Sequence, residues 1–264
     1  MSKNIVQDTF FVNHERLIAL MKRESDIRFA GGPLGVLWAY LPPLFWIGLV
    51  ALVFYVLKSP LPIMTEPALF VATGILPYAI FRQGITSMMR SIKVNRLLPL
   101  LPEVTKAQCL LATAILEWLT SIMLAIFIFG GVSLFFSVPF PGNLFTVCVA
   151  LTVAWALGVS IGALFASIGQ VSDTFSRSVP IILRPLFWIS AIFYTVSQVP
   201  SSIQTMLSYN PLVHIIESLR EGYFLGYTSP VSNLIIPVST ILFSIIATIY
   251  VETWIEEKKA NRHL

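Results

Sequence analysis

From Leu34 to Leu57 the chain carries no charged side chain. A helix of that length can cross the roughly 30 Å hydrocarbon core of a bilayer. Five further stretches are similarly apolar, 68–89, 108–136, 144–168, 179–196 and 234–251, with Arg82, Glu117 and Arg184 the charges inside them. Only 11% of the 264 residues are charged and 56% are hydrophobic, against about 25% charged in a soluble domain. Polar groups are too few to cover a water-facing surface, so lipid must solvate most of it. The expected fold is an all-α integral membrane protein with six transmembrane helices. Ala68 to Phe81 is too short to span alone and must continue through Arg82 to Met89. Pro42 and Pro43 should kink the first span, and Gly158 and Gly162 are spaced as a small-xxx-small packing face. The first thirty residues lack the compact apolar run of a signal peptide, so the first span is expected to act as the insertion signal.

Basic residues set the orientation. Of the 17 lysines and arginines, only Lys58 and Arg220 fall on one side of the six spans. The rest gather in segment 1–33, around the 90–107 connection, beside Arg177 and Arg184, and in the tail 252–264. Both termini are therefore expected to be cytoplasmic. Within 1–33, Phe10, Phe11, Leu17, Ile18, Met21 and Phe29 share one helical face, with Glu15, Arg16, Lys22, Arg23 and Asp26 on the other. That division predicts an amphipathic helix lying at the membrane interface, or packed on another subunit.

The outer connection 197–233 is long and apolar, with Ile203, Met206, Leu212, Ile215, Ile216 and Leu219 along it. Two short helices broken at Asn210-Pro211 are expected to dip into the outer leaflet and turn back as a re-entrant hairpin. Non-helical backbone survives at that depth only when buried in protein or lining a wet cavity. His214, Glu217, Arg220 and Glu221 make a charged patch there. Two readings stay open: an exit gate, or the solvated polar face of an interfacial helix.

Much chemistry is missing from the sequence. No GxxxxGK[ST] phosphate loop occurs, and Gly31 to Gly35 lacks its lysine. The histidines (His14, His214, His263) and cysteines (Cys109, Cys148) lack metal spacing. Glu117 is the one carboxylate well inside a span, and pairing with a nearby arginine is favoured over proton carriage. A secondary transporter would need midplane ion ligands or inverted repeats. A membrane-embedded enzyme would need clustered catalytic groups at one depth. Neither pattern is found, so the energy for any transport is expected from a partner.

Three blocks carry a family resemblance: "RFAGGPLGVLWAYLPPLFW" (28–46), "VNRLLPLLPEVTKAQCLLATAILEWL" (94–119), and "FWISAIFYTVSQVP" with "YNPLVHIIESLREGYFLGY" (187–200 and 209–227). Together they resemble the capsular-polysaccharide export permeases, the membrane subunits of type-two ABC exporters. One departure is Ala112-Thr113, where the family pattern leads one to expect an arginine. The resemblance implies a homodimer of six-span subunits bound to two copies of a separate ATPase, which holds the ATP and magnesium. It also implies no enzymatic activity and no cofactor in this chain, and no nucleic-acid partner. The implied cargo is a lipid-linked, usually acidic polysaccharide, crossing the bacterial inner membrane toward a periplasmic co-polymerase and outer-membrane export components. Permeases for O-antigen, teichoic acid or a small hydrophobic compound are the alternatives within the same fold.

Against that background the cytoplasmic loop is expected to hold a coupling helix for the ATPase. Leu97, Leu98, Leu100 and Leu101 fall among Lys93, Arg96 and Glu103, and a purely solvated loop, which would leave them exposed to water, does not explain them. The polysaccharide path is expected to be walled by Trp38, Tyr40, Phe45, Trp46, Tyr78, Phe187, Trp188 and Tyr194. Arg28, Arg82 and Arg184 would lie near its cytoplasmic end. Aromatic faces let sugar slide, and arginines hold an anionic head without being deprotonated.

Overall fold

The computed structural model describes residues 2–29, 33–58, 60–94 and 105–261. Helices dominate the described residues, and no strand occurs among them. In chain order they are α1 (Ser2–Phe29), α2 (Pro33–Leu57), α3 (Pro67–Val94), α4 (Lys106–Phe136), α5 (Leu144–Gly169), α6 (Asp173–Ile189), α7 (Ser201–Leu207), α8 (Pro211–Tyr223) and α9 (Ile235–Ala260). Five of them, α2, α3, α4, α5 and α9, are long and apolar enough to cross a membrane.

Local chemistry fixes where several of these helices begin. Thr105 forms a capping box with Gln108, its hydroxyl accepting from the Gln108 N–H while the Gln108 amide oxygen accepts from the Thr105 N–H. Asn143 and Ser172 cap α5 and α6 through their side-chain oxygens. Asn210 caps α8 with Pro211 in its first turn, so the expected break is a helix start. α2 runs on through Pro42 and Pro43 without interruption.

α3 is the hub. It packs on α2, α4, α5 and α8, and nearly all of it is buried. The glycines on its contact with α5 explain the closeness of the two axes. A Cβ on Gly158 would meet the Phe81 carbonyl oxygen at 2.4 Å, and one on Gly162 would meet Ile85 Cα at 2.8 Å. Backbone therefore lies on backbone, as the spacing of the two glycines leads one to expect. α9 packs on α5, and its Glu252 accepts from Ser167 and Gln170 at 2.6 Å each and from Lys106 at 3.2 Å. Ala112 and Thr113, at the departure from the family pattern, are buried, and the Thr113 hydroxyl donates to Ser91 Oγ at 2.8 Å.

α6 differs from the expected fifth span. It begins at Asp173 and stops at Ile189, well short of Val196. Its 17 residues rise about 25 Å. The physical cause lies just past its end, where Ala191 adopts φ +57°. The Ala191, Ile192 and Tyr194 carbonyls turn toward a side chain of α8 instead of continuing the helix. Gly74 of α3 gives room for this segment, since a Cβ there would meet the Ile192 carbonyl oxygen at 2.5 Å.

α1 packs mainly on α4. Its Glu24 is buried and pairs with Arg90 of α3 at 3.2 Å, whereas Ile18 is more than half exposed in the single chain.

Candidate functional site

A cavity of about 540 Å³ opens where the end of α1 meets α2, α3, α4 and α6. It gathers Arg28, Tyr40, Trp46, Tyr78, Arg82, Arg184, Phe187 and Trp188. Trp38 and Phe45 lie outside its lining and are largely exposed. Tyr194 also lies apart from it, beyond the end of α6, with its carbonyl oxygen bonded to Arg220.

The aromatic wall is continuous. Phe187 stands 4.9 Å from Tyr78, 5.8 Å from Trp46 and 5.5 Å from Trp188, measured between ring centroids. The Tyr78 hydroxyl donates to the Leu183 carbonyl at 2.6 Å and so ties α3 to α6 beneath the rings. Pro42 and Pro43 also line the cavity.

The cavity also has a polar lining, in which Arg82 was expected and Gln83, Thr86, Thr120 and Ser121 were not. Glu117, Thr120, Ser121 and Leu124 line it from α4, and Arg82, Gln83 and Thr86 from α3. The α4 set follows helical i, i+3, i+4, i+7 spacing, and on α3 Thr86 lies four residues from Arg82 and three from Gln83, so the signal was present in the sequence. Arg28 pairs with Glu117 through both nitrogens, with Nη1 on Oε1 and Nη2 donating to Oε2 at 3.3 Å. Arg82 and Arg184 are exposed and have no carboxylate partner among the described residues. Three arginines thus face one carboxylate across an aromatic-lined cavity, an arrangement suited to an anionic, partly apolar ligand.

The outer patch has a different character. His214, Glu217 and Arg220 are buried rather than solvated. Arg220 donates through Nη1 to the carbonyls of Ala191 and Tyr194, and through Nη2 to Ile192, each at 2.8 Å. It pairs with Glu217 at 3.0 Å, and its Cζ lies 4.4 Å from the Phe70 ring centre. The other Glu217 oxygen accepts from the Tyr227 hydroxyl at 2.5 Å. Burial, and then the Glu217 carboxylate, push the Tyr227 phenol above its usual range, so it keeps the proton it donates. His214 bridges the Ser208 carbonyl and the Asn233 N–H. Glu221 accepts from the Ser229 N–H and the Ser232 hydroxyl. The patch therefore fastens α8 to the end of α6 and to the approach to α9.

Arg96, Leu97, Leu98, Leu100, Leu101 and Glu103 lie outside the described residues. Lys93, next to them, is exposed and lines a second cavity of about 440 Å³ with Lys106, Gln170 and Asp173. No group of three or more potential metal ligands occurs among the described residues.

A bundle of apolar helices around a cationic, aromatic cleft is the frame of a membrane transport subunit, and similarity to known proteins specifies the class. The ABC-2 type transporter family matches residues 15–224. The chain belongs to that family. It is 30% identical over 227 residues to the polysialic acid transport protein KpsM of Escherichia coli, covering 83% of this chain and 85% of that one. It is 22% identical over 206 residues to the capsule polysaccharide export inner-membrane protein BexB of Haemophilus influenzae, covering 78% of each. The O-antigen export system permease protein RfbA of Klebsiella pneumoniae is 22% identical over 224 residues, at 80% of each.

Proposed function

We propose that this chain is the membrane permease of an ATP-driven exporter that moves lipid-linked, acidic capsular polysaccharide out across the bacterial inner membrane. The cleft carries this reading. Its unpaired Arg82 and Arg184 suit an anionic lipid head, and its aromatic rings suit sliding sugar. Similarity to capsule export permeases points the same way. ATP hydrolysis belongs to a separate subunit, and two copies of each chain form the transporter. Both termini face the cytoplasm, with α1 at the interface. α6 and the segment that follows it form the crossing between α5 and the outer hairpin. That segment is irregular apart from a 3-10 turn at Val196–Gln198, which protein burial at membrane depth permits. α7 and α8 are the re-entrant pair, with His214, Glu217, Arg220 and Glu221 governing the exit by holding its elements together.

The test is ATP hydrolysis by the permease purified with its ATPase in nanodiscs. Lipid-linked acidic polysaccharide is expected to raise the rate several-fold, and a small hydrophobic drug to leave it at the basal level. Stimulation by the drug alone would move the assignment to a permease for small compounds. The cytoplasmic connection 90–107 serves as the coupling element, docking through Leu97 to Glu103. Leu98→Asp or Leu101→Asp, by burying an unpaired charge at a cost of a few kcal/mol, is expected to release the ATPase on co-purification or uncouple hydrolysis from export. Unchanged co-purification and export in both variants would remove the loop from that role.

A further inference from the structure

Ion pairs that join α1 to the bundle include Glu24 with Arg90 of α3, and Arg28 with Glu117 of α4. The second differs from the first because both partners also line the cleft. Arg28 sits in the last turn of α1, 6% exposed, and Glu117 is 1% exposed. The Tyr40 hydroxyl lines the same cavity, buried and without a hydrogen-bond partner. With this pair counted, the cleft holds three guanidiniums and one carboxylate.

A carboxylate and a phosphate fit the guanidinium fork in the same bidentate way. Glu117 therefore occupies on Arg28 the place an incoming phosphate would take. Displacing it with a lone ion would leave a buried carboxylate unpaired, which is costly. A headgroup also held by Arg82 and Arg184 gains enough to compete, and the vacant Tyr40 hydroxyl offers it a further donor. We propose that the Arg28–Glu117 pair is a latch that a phosphate-bearing anionic headgroup opens, taking Arg28 from Glu117 and freeing α1 from α4. This rests on the cleft being the place where anionic lipid-linked cargo binds. A ligand shifts such an equilibrium only by preferring one state, and here the preference is for the state in which Arg28 is free of Glu117. Occupancy of the cleft thereby becomes movement of α1.

The experiment uses the full chain with its ATPase in nanodiscs, with Cys148→Ser and a spin label at Ile18→Cys on the exposed side of α1. Phosphatidylglycerol discs are expected to mobilise the label relative to phosphatidylcholine discs. Inorganic phosphate added to phosphatidylcholine discs tells the free ion from the lipid: mobilisation there means the phosphate group suffices, and mobilisation by phosphatidylglycerol alone means it must arrive on a lipid. Glu117→Gln, nearly the same shape, should give a mobile α1 in both lipids and bind phosphatidylglycerol about tenfold more tightly, the equivalent of one competing charged hydrogen bond removed. Exchanging the charges, Arg28→Glu with Glu117→Arg, should restore the immobile label in phosphatidylcholine. If phosphatidylglycerol binds in a manner that needs Arg82 and Arg184, yet the label stays fixed and Glu117→Gln binds as the wild type does, the latch is wrong and the cleft stands. If Arg82→Leu with Arg184→Leu leaves binding unchanged, the cleft itself is misassigned and the latch falls with it.

Discussion

Replacing Arg220 by methionine is expected to destabilise the folded chain by about 3–5 kcal/mol, the usual cost of leaving a buried charge without its partner. Arg220 and Glu217 are both fully buried, so solvent does not screen the loss. The ion pair is only part of the contribution. Helix ends leave carbonyls unsatisfied, and the guanidinium supplies donors to three of them beyond the end of α6. Methionine would orphan those carbonyls, Glu217 and the face of Phe70 together. Glu217→Gln should cost clearly less, because the carbonyls keep the guanidinium satisfied and the Tyr227 hydroxyl keeps an acceptor. Arg220→Lys should fall between them, since a single ammonium cannot match the planar fork. Denaturant unfolding of the purified chain in detergent would rank the three. Equal losses for Arg220→Met and Glu217→Gln would mean that only the ion pair matters and that the carbonyls find other partners.

The same residue marks the limit of what the sequence reveals. Long apolar runs locate the helices because each must supply its own backbone hydrogen bonds in lipid, and that local rule places α2, α3, α4, α5 and α9. α6 escapes it. Its end is decided by Arg220, which lies 26 to 29 residues from the carbonyls it holds, and no local pattern reports a contact so distant. For the same reason the sequence leaves the charged patch 214–221 open between an exit gate and a solvated face. Many of its partners, as for Arg220 and His214, are main-chain groups, which every residue possesses and no sequence advertises.

The cleft was more legible. Arginines inside apolar helices are costly and so face a cavity or partner, which singles out Arg82 and Arg184. Tyr40, Trp46, Tyr78, Phe187 and Trp188 join them in one lining, while Trp38, Phe45 and Tyr194 do not. Aromatic identity alone does not separate the two groups, because rings also gather at membrane interfaces. For Trp38 and Phe45 the rotation of α2 about its axis makes the difference, whereas Tyr194 is left out because α6 ends before it. Such rotation is set by packing, as where Gly158 and Gly162 bring α5 onto α3.

Arg82→Leu and Arg184→Leu are each expected to lower polysaccharide export at least about tenfold, and the double variant to abolish it. A charge-assisted hydrogen bond to an anionic head contributes about 1.5–3 kcal/mol, and the two arginines sit on different helices, α3 and α6, so neither can cover for the other. Neither is committed to an internal carboxylate among the described residues. Leucine removes a charge exposed to the cleft without stranding a partner, so membrane insertion should be preserved, as should the dimer assembly and basal ATP hydrolysis of the proposed exporter. That contrast with Arg220, whose loss strikes the fold itself, separates a transport role from a structural one. Lysine at either position should keep part of the activity, because the charge remains while the bidentate fork is lost. Capsule at the cell surface, measured beside the amount of membrane-inserted permease, reads the outcome. Normal capsule from the double leucine variant would mean that both arginines serve lipid headgroups outside the path, and that the aromatic wall does not guide the polymer.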